Sequence, residues 1–114
     1  MSARLESKYV PKPWGSETWI VNNDLYCGKV LTVSQGAACS LHYHPVKHET
    51  FLVRYGQLML ELGDERYLLE PGDIIQVLPG TPHRFTAILS SQLYEFSTYH
   101  SDDDVVRLEP SSGI

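Results

Sequence analysis

Short runs of β-branched, aromatic and aliphatic residues, each closed by a turn signal, fill this chain almost from end to end. The runs are "SETWIV", "YCGKVLTV", "CSLHYH", "HETFLVRY", "QLMLEL", "ERYLLE", "DIIQVL", "PHRFTAIL" and "SQLYEFST". Between them stand Asn22-Asn23-Asp24, Ser34-Gln35-Gly36, Gly56, Gly63-Asp64, Pro71-Gly72-Asp73, Pro79-Gly80 and Ser90-Ser91. No window keeps a helical period over three turns. Roughly ten strands at near-regular spacing predict an all-β domain, an antiparallel sandwich or barrel. One domain is expected over residues 1–114, with residues 1–10 and 109–114 as flexible or partner-held arms.

Charge and composition narrow the partners. A formal charge of −5 argues against nucleic acid, because phosphate backbones want a basic field. A small anionic molecule stays open, since a few local lysines or arginines suffice. "MSARLESKYV" lacks the apolar core of a signal peptide, and no apolar run is long enough to span a bilayer. No membrane partner is therefore expected, and the location expected is the cytoplasm. Cys27 and Cys39 read there as reduced, small buried hydrophobes.

Three of the five histidines fall in "HYHPVKH". Residues i and i+2 of a strand share a face, so His42 and His44 project together, about 7 Å apart along the backbone. Pro45 ends that strand, because it has no N–H for the ladder. The turn through Pro45-Val46-Lys47 resets the parity, so Glu49, Phe51 and Val53 can face the same interior, with Thr50, Leu52 and Arg54 outside. Far along the chain, Pro79-Gly80 turns and Pro82 opens a strand that begins with His83, which an antiparallel barrel can bring beside the pair. Three imidazoles and one carboxylate suit one divalent first-row transition metal with positions left open.

The spacing around these residues resembles the cupin family. The first cupin motif, G(X)5HXH(X)4E(X)6G, is met by Gly36, His42, His44, Glu49 and Gly56. The second, G(X)5PXG(X)2H(X)3N, is met by Gly72, Gly80 and His83, with the proline one position late at Pro79 and Ala87 in place of the asparagine. The resemblance implies a double-stranded β-helix, or jelly-roll barrel, and His42, His44, Glu49 and His83 as the metal ligands. "KPWGSETWIV", "KVLTVSQGAACSLHYH", "PGTPHRF" and "DDDVVRLEPSSG" are similar more narrowly to the cupin domain of type II mannose-6-phosphate isomerases, usually fused behind a sugar-nucleotide transferase. The sequence departs from those domains at His42, where glutamine is common, and so offers a fuller metal set.

The same resemblance marks Lys29 and Glu95. Lys29 sits where those domains tend to carry lysine, and would meet a phosphate or assist proton transfer if it faces the cavity; strand parity leaves solvent as the alternative. Glu95 resembles a glutamate there and is the candidate general base, with a surface carboxylate as its plainer reading. Phe51 and Phe85 fall on the inner face, as pocket lining or core. His48 is expected to point away, His100 to be solvated in the tail, and Asp102-Asp103-Asp104 to form a solvated loop. Trp14 and Trp19 are expected at a barrel end or a dimer contact.

The function implied is a metal-dependent aldose–ketose isomerase acting on a sugar or sugar phosphate. An iron-dependent dioxygenase, a metal-assisted lyase and a non-catalytic sugar-binding or regulatory cupin share the ligand set. The metal is Mn, Fe, Ni or Zn by ligand chemistry. Outward apolar residues such as Leu52, and the habit of the family, point to a homodimer.

Overall fold

The computed structural model describes residues 3–113. Its strands are β1 (Lys8–Lys12), β2 (Gly15–Asn22), β3 (Cys27–Val33), β4 (Leu41–Tyr43), β5 (Glu49–Leu62), β6 (Glu65–Leu69), β7 (Ile74–Val77), β8 (His83–Ser97) and β9 (Val106–Glu109). Every pairing between them is antiparallel. No helix among the described residues is long and apolar enough to cross a membrane.

Two long strands, β5 and β8, belong to both faces of the fold. The first half of β5 pairs with β7 and with the second half of β8, which continues through β3 and β2 to β1. The second half of β5 pairs with β6 and with the first half of β8, which continues through β4 to β9. Two antiparallel sheets thus close over one interior, the cupin-type double-stranded β-helix.

The sequence signals at Gly56 and Ser90-Ser91, expected as turns, are instead bends inside continuous strands. The β5–β8 register shifts between Val53 and Leu58, and Gly56 has φ +95°. A Cβ there would stand 2.1 Å from Ser91 Oγ and 2.5 Å from the Ser90 carbonyl oxygen, so only glycine fits. Ser91 Oγ in turn accepts the Gln57 N–H at 2.9 Å and donates to the Leu89 carbonyl at 2.7 Å. The two bends therefore lock together at one corner. Glycine and serine signal a chain reversal and a bulge alike, which is why the sequence did not separate them.

Alternation along the strands sorts the interior into rows. Leu31, Leu93 and Val53 are register partners in one row; two residues on lie Lys29, Glu95 and Phe51; two more bring Cys27, Ser97 and Glu49. On the facing sheet, Leu58–Ala87 gives way to Leu60–Phe85, then to Leu62–His83 with His42 beyond. The interior is aliphatic at the corner and ionisable at the other end. The apolar rows supply the core, with Leu58, Leu60 and Leu93 fully buried.

Of the expected arms, residues 1, 2 and 114 lie outside the described residues, and parts of the rest are paired. Lys8, Tyr9 and Val10 pair with Trp19, Thr18 and Glu17. At the other end Glu109 pairs with Leu41, and Ser112 exchanges two backbone hydrogen bonds of 2.9 Å with Ala38. Trp14 is not at a surface contact: it is buried in the core cluster.

Candidate metal centre

His42 and His83 are register partners on adjacent strands, and His44 follows just beyond β4. Their ring centroids are 4.4 Å (His42–His83), 4.9 Å (His42–His44) and 5.8 Å (His44–His83) apart. One nitrogen from each lies within 4.8 Å of the others. Each ring turns Nδ1 to a backbone carbonyl: His42 to Ser40 at 2.8 Å, His44 to Asp104 at 2.7 Å, His83 to Thr81 at 2.9 Å. A carbonyl only accepts, so each Nδ1 carries the proton and each Nε2 presents a lone pair. That arrangement fixes the tautomer a metal-ligating histidine needs.

Glu49 completes the set from the opposite sheet. Its Oε1 stands 3.5 Å from His44 Nε2 and 3.3 Å from His83 Nε2. This oxygen is buried and has no hydrogen-bond partner. Three lone pairs and an unpartnered carboxylate oxygen converging without a proton between them are an arrangement that a divalent cation satisfies. Burial pushes the His42 imidazole down to about 3, with the neighbouring His83 acting the same way. His44 is lowered first by burial and then by Lys47. Burial opposes charge on Glu49 as well, yet the ammonium of Lys47, 3.3 Å from its Oε2, holds its carboxyl far below the usual range. Neutral imidazoles and an ionised carboxylate are the forms a metal takes.

Behind the histidines lies a row of paired charges. Lys47, buried, places Nζ 3.3 Å from Glu49 Oε2, 3.2 Å from Glu95 Oε2 and 2.9 Å from His100 Nδ1. Burial works against its charge, but the two carboxylates outweigh it and keep Lys47 an ammonium. Ser97 Oγ also donates to Glu95 Oε2, at 2.9 Å. Lys29 points inward, settling its parity: it is buried, sits 3.4 Å from Glu17 Oε1 and lies 4.2 Å from the centre of the Trp19 ring. Trp19 Nε1–H donates to the same Glu17 oxygen at 2.8 Å. Phe51 and Phe85 pack edge to face with centroids 4.8 Å apart. All of these residues except Ser97 and Trp19 line one cavity of about 330 Å³, with His42, His44 and Glu49. That volume is at the small end of ligand pockets.

Every site residue expected from the sequence therefore comes to one place: His42, His44, Glu49 and His83 in a cluster, Lys29, Glu95, Phe51 and Phe85 beside it. Lys47, Glu17, His100 and Asp104 were missed. His100 is not solvated in a tail; it meets the Trp19 ring edge-on at 5.1 Å and bonds Lys47 and Asp102. Lys47 had only its nearness to Glu49 as a signal, since it lies in the turn before β5, where strand parity does not hold. His100 and Asp104 had none, because their places depend on how the last segment folds back over β4.

The chain belongs to the cupin family, whose cupin-domain model matches residues 29–93. A D-lyxose/D-mannose isomerase of Thermosediminibacter oceani is 32% identical over 111 residues, covering 74% of this chain and 61% of that one. A quercetin 2,3-dioxygenase of Bacillus subtilis is 44% identical over 62 residues, 54% of this chain and 18% of the other. A mannose-1-phosphate guanylyltransferase of Salmonella muenchen is 31% identical over 108 residues, 90% of this chain and 22% of that protein. The chain thus spans less than two thirds of each of these relatives. Among solved structures, KdgF from Halomonas sp. has the same fold, with a TM-score of 0.76 at 21% identity over 87% of this chain and 90% of that one.

Proposed function

We propose that the cavity is the active site of a metal-dependent aldose–ketose isomerase acting on a sugar or sugar phosphate. The observation that carries this is the buried, unpartnered Oε1 of Glu49 facing His44 and His83, next to a second buried carboxylate, Glu95, on the same cavity wall. A divalent ion held by His42, His44, Glu49 and His83 supplies Lewis-acid polarisation of the substrate carbonyl. Glu95 is the base: its Oε2 is occupied by Lys47 and Ser97, which leaves Oε1 to face the substrate. It takes the proton from the hydroxyl-bearing carbon beside the carbonyl and returns it to the former carbonyl carbon, while the proton of that hydroxyl passes to the former carbonyl oxygen, so the isomers balance. The Lys47 ammonium, 3.2 Å from Glu95 Oε2, holds the carboxylate in place for the first transfer. Lys29 and Glu17 offer donor and acceptor to sugar hydroxyls, and Phe51 and Phe85 form an apolar wall for the C–H face of the ring. The similarity to a D-lyxose/D-mannose isomerase supports the same reading.

The similarity to a quercetin 2,3-dioxygenase supports a second reading, an oxygenase using iron at the same residues. The test separates them. Metal-loaded protein is given a panel of aldoses, ketoses and their phosphates in deuterated water, with oxygen uptake followed in parallel. Deuterium entering the carbon beside the carbonyl is expected. Failure to convert any member overturns the isomerase; oxygen consumption then favours the oxygenase, and affinity without turnover a sugar-binding cupin.

We further propose a cytoplasmic homodimer. Free thiols at Cys27 and Cys39 support the reducing compartment. Leu52, Ile74, Tyr94 and Phe96 on the outer face of three neighbouring strands, with Ile74 68% and Phe96 55% exposed, support an isologous contact there. Light scattering at micromolar concentration decides it, a monomeric mass counting against the dimer.

A further inference from the structure

Asp104 touches the site twice without entering it. Its backbone carbonyl accepts the His44 Nδ1–H at 2.7 Å. Its carboxylate accepts two successive backbone amides of the turn before Glu49: Val46 N–H through Oδ1 at 2.9 Å, and Lys47 N–H through Oδ2, also at 2.9 Å. That turn begins at Pro45, which has no N–H, and its next amide, His48, goes to Thr98 Oγ1 at 3.1 Å. The turn is thus anchored from outside itself, by the chain that follows β8. Two residues before Asp104, the Asp102 carboxylate holds His100, whose other nitrogen meets the Lys47 ammonium.

We propose that Asp104 is a positioning residue that fixes His44 and Lys47 together. The carbonyl sets which His44 nitrogen faces the centre and in what direction. The carboxylate fixes where Lys47 leaves the backbone, and hence where its ammonium falls between Glu49 and Glu95. Losing the carboxylate frees the turn and also releases residue 104 from its place opposite His44, so the two effects arise from one substitution. The His44 half rests on the metal-centre reading; the Lys47 half stands on the apoprotein alone.

The test uses the purified chain and zinc. Zinc affinity is measured by competition with a chromophoric chelator for wild type, Asp104→Ala, Asp104→Asn, Asp103→Ala and Val53→Ala. Asp104→Ala is expected to weaken zinc binding about tenfold or more. Asp104→Asn, which keeps one acceptor oxygen, should recover part of that loss. Asp103→Ala, on an exposed neighbour whose carboxylate has no part in the anchoring, and Val53→Ala, which loosens the core row beside the corner, should bind as wild type. The second readout is the Lys47 side-chain ammonium resonance in the metal-free protein. Burial should slow its exchange with water in wild type, and Asp104→Ala should speed that exchange beyond detection. Wild-type zinc affinity in Asp104→Ala removes the His44 half; an unchanged ammonium resonance removes the Lys47 half. If Asp104→Ala does not fold, Asp104→Asn decides both by the same two criteria. A wild type that binds no zinc overturns the metal centre and the His44 half with it, while the resonance still decides Lys47.

Discussion

Lys47 Nζ lies 3.3 Å from Oε2 of Glu49, on the carboxylate whose other oxygen faces His44 and His83. One carboxylate therefore turns one oxygen to a resident ammonium and the other to a histidine group that could hold a cation. Replacing Lys47 with methionine leaves Glu49 and Glu95 buried without their shared partner, at a cost of about 3–5 kcal/mol to the metal-free protein. Added zinc should restore more stability to Lys47→Met than to wild type, because the ion then carries the compensation alone. Urea melts with and without zinc check this; equal gains for both proteins would show that Lys47 and the ion do not share Glu49.

Purified without chelator, the protein should carry about one divalent transition metal per chain, and His44→Ala should lose most of it. Glu49→Gln should bind more weakly and regain part of its activity in excess metal. Elemental analysis reads both. Full metal content in a His42→Ala/His44→Ala double variant would displace the centre from these residues.

Glu95→Gln separates proton transfer from metal binding. Glu95 is held by Lys47 and Ser97, and no contact joins it to the histidines. Metal content should stay at the wild-type level while turnover falls about 10²-fold or more. A full-rate variant would take Glu95 out of the mechanism and leave the isomerase intact.

Acid should destabilise the metal-free protein from below about pH 6.5. The folded His42 imidazole titrates at about 3 against an ordinary 6.5, so across that window the unfolded chain binds the extra proton. Stability then rises with pH by about 1.4 kcal/mol per unit for this one group at most. The contribution is whole above pH 6.5 and is lost as pH falls through the folded value. His44 and His100 are lowered as well, and Glu49 joins with the same sign below its ordinary 4.5. Urea unfolding of the apoprotein at successive pH values tests the slope; a flat profile between pH 5 and 7 would mean that His42 is not buried neutral.

The fold was legible because its signals are local. Period-two alternation in "ETFLVRY" marks Glu49 and Val53 as facing in, whereas Lys29 in "CGKVLTV" stayed open between cavity and solvent until the structure buried it with Leu31. The grouping of His42, His44 and His83, which could hold a metal, was legible from the same parity and from glycines at motif spacing. Continuity of β5 and β8 was not, because a bend and a reversal use the same residues. Nor was the charge network around Lys47: it depends on Asp104 and His100, more than fifty residues along the chain. A solvated reading of "DDD" was reasonable for three carboxylates in a row, and it fails where the second sheet's edge brings Asp104 against two free amides.

His42 and His83 stand on one sheet and Glu49 on the other, while Gly56 and Ser91 pin the two sheets at the corner where β5 and β8 bend. Away from that fixed point, at the ionisable end of the interior, His83 and Glu49 stand on opposite walls and are both buried. An ion held by residues of both walls would tie them together at that end, as Gly56 and Ser91 do at the corner.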